Sequence, residues 1–466
     1  MKRLLCMVLT GLMLFAAACT AAPKPQSETP TAAPFEATEQ PYSTDEPVFV
    51  PEVPFSPLPI QNPPIDLTDP VKPIYETQST PVETTGSADF ANVLSAALLC
   101  GTCNRNLSPV SVWLAMAMVT EGADGETRAE LLKLLGCKTI EELRGTCGAM
   151  LEALSIDLEN STLDLHNSLW MAEQIDGVPV TFREPFLNAL GEQYRSEAHT
   201  VDFGKFTAGK QIGEWITEHT RGKIKISRDA LAFDPATLAV LINTIYLKDN
   251  WLDPFDKTRT EKGVFAGLDP DAGTAKEITV DYMSRSDLNT VIVQGDGWLR
   301  YRVRLGAVGS VLFVLPDEGI ALERLLGSPE AIDKLLHAGI NKTCNVSLKI
   351  PKFSFQDKME LDGVLRSLGL AHCFGTGANF SNMSDTPCMI DRVLQESYIG
   401  MDEDGVEAAA YTMVAMRATG YYNPVELETI EFHLTRPFFY AIEAYDGTLL
   451  FVGTVTTPNE AETVHK

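Results

Sequence analysis

Seven histidines and nine cysteines are the side chains of this 466-residue chain best suited to acid–base, nucleophilic or metal chemistry. The histidines are His166, His199, His219, His337, His372, His433 and His465, and they are scattered. No two have the spacing of a zinc pair, and there is no HExxH. GxSxG, P-loop and GxGxxG patterns are missing too, so hydrolase, NTPase and dinucleotide chemistry have no carrier. Cys100 and Cys103 form the one redox-like CxxC. A thioredoxin-type pair sits between a strand and a helix of a βαβ unit, whereas this one precedes a Ser-Pro helix start. With Cys6 and Cys19 set aside, Cys100, Cys103, Cys137, Cys147, Cys344, Cys373 and Cys388 remain, an odd number. At most three disulfides can form, and the sequence leaves their pairing, a local Cys100–Cys103 bridge and free thiols all open. The expectation is a protein that is not an enzyme and carries no metal or cofactor.

The stretch with unusual chemistry is DEDGVEAAAYTMVAMRATG, Asp402 to Gly420. Its alanines favour helix, while its Val and Thr residues favour strand. Alternate positions of a strand share a face. One alternate set is Val406, Ala408, Ala410, Thr412, Val414 and Met416, without a charge. The other, Glu407, Ala409, Tyr411, Met413, Ala415 and Arg417, holds both charges and the aromatic ring. A slip by one residue inside a sheet would bury Glu407 and Arg417 unpaired, at a cost of several kcal/mol each. The pattern suits a strand that slots into an existing sheet. Fourteen residues of it would span roughly 46 Å.

Something must position such a segment. Apolar residues make up 45% and charged residues 21%, as in a globular core. The formal net charge of −26 argues against nucleic acid, whose phosphates call for Lys and Arg. The chain opens with Lys2 and Arg3, an apolar run from Leu4 to Ala18, and Cys19. Residues 1–18 have the shape of a secretory signal, and the run is shorter than the usual ~20-residue membrane span. The small residues ending at Cys19 resemble a bacterial lipoprotein signal, which implies lipidation of Cys19. Between Thr20 and Thr85 lie 15 of the 28 prolines, ten acidic residues and two lysines. That composition cannot bury enough apolar surface to fold, so residues 19–85 read as a lipid-anchored, extended tether. The folded domain is expected over 86–466, outside a bacterial cell and held to its membrane through the lipid alone.

Within it, Phe90, Leu94, Ala97 and Leu98 have helical spacing. Ser108 reads as a helix cap with Pro109 in the first turn. Gly122 to Gly125 breaks that helix, and another spans Glu126 to Leu135 with Gly136 after it. Later come strand signals. Thr237 to Lys248 reads as a central buried strand, Val308 to Asp317 as another, and Val346, Leu348 and Ile350 alternate. The end of the chain reads as a hairpin turning at Asp446-Gly447. Helices come early and strands late, so the fold class is α+β with large, mostly antiparallel sheets.

From Asn106 onward the motifs resemble the serpin family, in serpin order. They are Asn106-Leu-Ser-Pro-Val-Ser111, Gly122-Ala-Asp-Gly-Glu-Thr127, Leu165-His-Asn-Ser-Leu-Trp170 and Trp215-Ile-Thr-Glu-His-Thr-Arg-Gly-Lys-Ile224. Asn243-Thr-Ile-Tyr-Leu-Lys-Asp-Asn-Trp-Leu-Asp-Pro-Phe255, Pro351-Lys-Phe353, Leu368-Gly369 and Arg436-Pro-Phe438 follow. Gly405-Val-Glu-Ala-Ala-Ala410 looks like the hinge of that family's reactive-centre loop. The resemblance implies a serpin fold with an exposed loop over about 403–431. It implies inhibition of serine, or cysteine, proteases by a suicide-substrate route, in which the cut loop inserts into the main sheet and the acyl-enzyme is trapped. A non-inhibitory serpin acting as a surface binding protein is the alternative. The partner would be a target protease, and the protein a monomer. The expected reactive bond is Thr419-Gly420, with Arg417, Tyr421 and Tyr422 as rivals. Ser108, Ser111, Asn243, Trp251 and Gln395 match the family's sheet-opening region. Val406 replaces the usual Thr or Ser, and Gln395 a frequent His. The loop also exceeds the usual length.

Overall fold

The computed structural model describes residues 86–99, 101–226, 231–269, 273–406 and 427–459. The signal, the tether, Cys100 and the run from Glu407 to Glu426 lie outside the described residues.

Helices come first: α1 (Ser87–Leu98), β1 (Arg105–Leu107), α2 (Pro109–Gly122), α3 (Gly125–Leu134) and α4 (Ile140–Ala153). A mixed stretch follows, with β2 (Ile156–Asp157), β3 (Thr162–Ala172), β4 (Gln174–Ile175), β5 (Val178–Pro179), α5 (Glu184–Tyr194), β6 (Ser196–Val201) and α6 (Phe206–His219). Strands then prevail: β7 (Ala239–Asn250), β8 (Glu261–Leu268), β9 (Ala275–Gln294), β10 (Trp298–Arg304) and β11 (Gly309–Pro316). After α7 (Pro329–His337) come β12 (Ile340–Pro351), β13 (Phe353–Glu360), α8 (Asp362–Ser367) and β14 (Leu394–Met401). The chain closes with β15 (Gly405–Val406), β16 (Thr429–His433), β17 (Phe438–Ala444) and β18 (Leu449–Val455).

Local chemistry explains the boundaries. Ser108 caps α2, its hydroxyl accepting the Ser111 N–H at 3.4 Å, with Pro109 in the first turn. A proline there loses no hydrogen bond, because that N–H has no partner in a helix start. α2 is apolar on nearly all sides, as befits a helix buried between layers. α3 stops at Leu134, and Gly136 follows with φ 73°, a conformation that favours glycine. Asp446-Gly447 makes the final turn, with Gly447 at φ 88°.

Two large sheets result. One runs β1-β18-β17-β11-β10-β9-β12-β16, with β8 on β9. The other runs β13-β14-β15-β7-β3-β2, with β6 on β3. Ladders are antiparallel except β12 with β16 and β3 with β6. β17 and β18 are buried along their whole length, and α2 packs between β18 and β7. Val346, Leu348 and Ile350 turn one face of β12 into the core. The fold is thus α+β with large, mostly antiparallel sheets.

One expectation changes. Thr237 to Lys248 reads from its sequence as a buried central strand. β7 is central, but its first five residues, from Ala239 to Asn243, are only half-buried. There β7 pairs with β3 on one edge, and the other edge faces a cavity rather than a described strand.

Candidate functional site

β15 is two residues long and sits between β7 and β14. Gly405 lies opposite Asn250 and Val406 opposite Asp249, while on the other side Val406 lies opposite Met401. Adjacent strands are ~4.8 Å apart, so β7 and β14 stand about 9.6 Å apart here, the width of one inserted strand. Only glycine fits at the first position, because a Cβ on Gly405 would come 2.1 Å from the Asp249 carbonyl oxygen. Val406 points inward and is 2% exposed.

Polar contacts fasten this hinge. Asp249 is fully buried, and its carboxylate accepts from the Ser161 hydroxyl at 2.6 Å, Ala307 N–H at 2.9 Å and Val308 N–H at 2.6 Å. The Trp251 indole N–H donates to the Asp402 carbonyl at 2.8 Å, and Trp251 N–H to the Asp404 carbonyl at 2.9 Å. Glu403 meets the Lys352 ammonium at 2.9 Å and accepts from the Thr260 hydroxyl at 2.6 Å. Lys257 pairs with Asp404 at 2.6 Å. Burial works against charge on Glu403, but the Thr260 and Lys352 donors outweigh it and hold the carboxyl below its usual range. Burial pushes the neighbouring Asp402 carboxyl up, aided by Asp404 and Glu403.

Below the hinge the two strands flank a cavity of about 550 Å³. Its walls include Leu241 and Asn243 of β7, Gln395 and Ser397 of β14, and Ser111 and Met116 of α2. Asn243 is the centre of a polar chain at its floor. Ser111 donates its hydroxyl to Asn243 Oδ1, Asn243 Nδ2 donates to Asn167 Oδ1 at 2.9 Å, and Asn167 Nδ2 to the Tyr194 carbonyl at 2.7 Å. Across the cavity, Gln395 Oε1 accepts the Ser108 N–H at 3.1 Å and its Nε2 returns a bond to the Ser108 carbonyl at 2.8 Å. Gln395 thereby ties β14 to the start of α2, as a side chain with both donor and acceptor can. Ser397 adds a hydroxyl bond to the Asn106 carbonyl at 2.5 Å.

Ser108, Ser111, Asn243 and Gln395 therefore meet around one cavity, whereas Trp251 lies at the far end of β7 with the hinge. Of the residues expected to form the hinge and inserted strand, Gly405 and Val406 make up β15, and Glu407, Ala408, Ala409, Ala410, Thr412, Val414 and Met416 lie outside the described residues. So do Arg417, Thr419, Gly420, Tyr421, Tyr422 and Cys19. Cys137, Cys147, Cys344, Cys373 and Cys388 are free thiols. Burial pushes Cys388 up to about 11 and Cys373 to about 12, the latter with help from Glu130, so neither is a ready nucleophile. Asp249, Asn167 and the Glu403–Lys352 pair are not singled out by the sequence reading above. All four lie inside stretches already quoted: Asp249 in Asn243–Phe255, Asn167 in Leu165–Trp170, Lys352 in Pro351–Phe353 and Glu403 in Asp402–Gly420. An Asn or Asp amid a run of strand-forming residues is a signal for a buried polar role. Among the described residues no group of His, Cys, Asp and Glu could hold a metal ion.

Comparison with known proteins agrees with this geometry. The family described as Serpin (serine protease inhibitor) matches residues 85–458. Serpin A3-1 of Bos taurus is 30% identical over 390 residues, covering 80% of this chain and 89% of its own. Corticosteroid-binding globulin of Oryctolagus cuniculus is 32% identical over 385 residues, covering 80% and 94%. Among solved structures, the thermophilic serpin tengpin in its native state superposes with a TM-score of 0.68 at 26% identity, over 82% of this chain and 98% of tengpin. With its hinge seated between two strands of a large sheet and these likenesses along its folded length, the chain belongs to the serpin family.

Proposed function

We propose that the protein inhibits serine proteases as a suicide substrate, from the outer face of a bacterial cell. In this reading a lipid on Cys19 holds it to the membrane, residues 20–85 are its tether, and it works as a monomer. The target's serine hydroxyl attacks the Thr419 carbonyl. An ester bond forms, the Thr419–Gly420 C–N bond breaks, and the hydroxyl proton leaves with the Gly420 amine. The freed strand then enters the main sheet and carries the protease with it before water can cleave the ester.

The observation that carries this reading is the hinge. Gly405 and Val406 already ladder with β7, and Val406 with β14 as well, above a cavity bounded by those same two strands. Continued in that register, Ala408 comes opposite Leu247 and Ile399, and Ala410 opposite Ile245 and Ser397. Thr412 comes opposite Asn243 and Gln395. The small residues thus meet the packed upper sheet, and the hydroxyl meets the polar chain. Alternation puts Glu407 and Arg417 on the other face.

A second reading is a non-inhibitory binding protein, favoured by the likeness to a protein named corticosteroid-binding globulin. One experiment separates them. The protein is mixed with trypsin-, chymotrypsin-, elastase- and subtilisin-like proteases and run on a denaturing gel. A covalent adduct, with a released fragment beginning at Gly420 by mass spectrometry, supports inhibition. A fragment beginning at Ala418 moves the bond to Arg417. Cleavage without adduct by every enzyme supports the binding reading.

A further inference from the structure

Three of the scattered histidines meet on the outer face of the hinge-bearing sheet. His166 of β3 and His219, the last residue of α6, stand edge to face with ring centroids 4.5 Å apart. His219 also stacks on Trp215 at 4.1 Å, and His199 of β6 on Trp170 at 4.3 Å. Glu197 of β6 joins them. It accepts the Trp215 indole N–H at 3.0 Å, contacts His199 Nε2 at 3.1 Å, and lies 3.6 Å from His219 Nε2. The Trp215 carbonyl accepts His219 Nδ1–H at 2.8 Å, which fixes where that proton sits and turns Nε2 toward the Glu197 carboxylate.

The chain leaving α6 crosses the strands on either side of the cavity. Arg221 reaches Asp164 of β3 at 2.8 Å and lies 4.8 Å over the Tyr246 ring of β7. Lys223 lies 5.4 Å over the Tyr398 ring of β14. In the register that Gly405 and Val406 hold, Ala409 would arrive between Tyr246 and Tyr398, beneath these two cations. Tyr411, the one large ring on the outward side, would arrive level with Thr244. Thr244 is the direct partner of His166 across β3 and β7. The histidine cluster therefore pins the end of a strap under which the incoming strand must pass.

We propose that this cluster is a pH-operated latch, in which protonation of His166 beside His219 releases the α6 strap and speeds strand entry. The proposal rests on the insertion reading above for its consequence, though not for the latch itself. His166 is half-buried and faces His219 of α6, Arg221 of the strap, Glu197 of β6 and Asp164 of its own strand. From β7 it meets Thr244, which carries no charge. Burial and then His219 hold His166 below the usual histidine range, while the acids only partly offset this. A group depressed in this way is neutral in the latched state. Acidification protonates it first in the released state, so release is favoured as pH falls below about 6.5.

Two measurements on the full chain test this. Amide hydrogen exchange across residues 206–224, corrected for intrinsic rates, is followed from pH 7.5 to 5.5. The wild type should exchange several-fold faster at the acid end, and His166→Gln should flatten the profile. His337→Gln, on the distant α7, should leave it unchanged. Emission from Trp215, stacked on His219, gives a second readout over the same range. A pH-independent wild type, or a His166→Gln profile matching wild type, overturns the latch. The rate of covalent adduct formation is then compared at the two pH values. An acid-opened strap with no adduct from any protease leaves the latch standing and defeats the inhibitory reading. An acid-opened strap with an unchanged adduct rate overturns the link between strap and strand entry.

Discussion

Val406 and Asp249 face each other across β15 and β7, one an apolar side chain of the short strand β15, the other a buried carboxylate satisfied by three donors. Asp249 holds the end of β7 to the Ala307–Val308 turn, which fastens the border that β15 lies against. Rigid borders make the fit at this point sensitive to single atoms.

Gly405→Ala tests that fit. Its new Cβ would collide with the Asp249 carbonyl and the Asn250 backbone. The hinge should fail to seat, and adduct formation should give way to plain cleavage of the loop. Titration of the variant against a protease that the wild type traps measures this as a rise in the molar ratio needed for full inhibition.

Ala410→Glu and Ala409→Glu differ by one residue and should differ in outcome. The first would bring a carboxylate inward between Ile245 and Ser397, a burial without a partner that costs several kcal/mol. It should become a substrate cut at the wild-type bond. The second would face outward, toward Arg221 and Lys223, and should inhibit as wild type does. Equal behaviour of the pair in a gel assay would remove the alternation from the mechanism.

Asn243→Ala would strand the Ser111 hydroxyl and Asn167 Oδ1 at the floor of the cavity. Leaving buried polar groups unpaired costs about 1–3 kcal/mol each. Thermal unfolding should show a midpoint lower by several degrees, and more protein should convert to a non-inhibitory form on storage.

The two acids at the hinge predict opposite pH effects. Asp402 is raised in the folded state, so its cost is absent below about pH 3.9 and grows as pH rises through the folded value. Asp402→Asn should therefore stabilise the protein at pH 7.5 and do little at pH 4. Glu403 is lowered, so its contribution is present above about pH 4.3 and fades as pH falls through the folded value. Glu403→Gln should destabilise at pH 7.5 and less at pH 4. Melting curves at both pH values decide each sign.

Local rules in the sequence determined a good deal. Caps and turns such as Ser108-Pro109, Gly136 and Asp446-Gly447 act over a few residues, so their chemistry could be read directly. The same holds for the alternation of Val346, Leu348 and Ile350, and for the charge-free alternate set that begins at Val406. Each depends on backbone geometry or on a period of two, and neither needs distant partners. The family's motifs also lie in short runs, so Ser108, Ser111, Asn243 and Gln395 could be named as belonging together.

Tertiary structure alone decided what these residues touch. That Asn243 bridges Ser111 and Asn167 depends on the register of β7 against β3 and on the seat of α2, which no short window contains. β7 reads as a fully buried strand because its sequence is apolar, yet its first half is half-buried: among the described residues, the neighbouring place in the sheet holds two residues of β15, beside the other end of β7. The histidines looked scattered because His166, His199 and His219 lie on three different elements. They meet only because β3 and β6 pair in parallel and α6 ends above them. A parallel pair and a helix returning over it bring together residues tens of positions apart, a proximity set by chain topology that residue spacing cannot express.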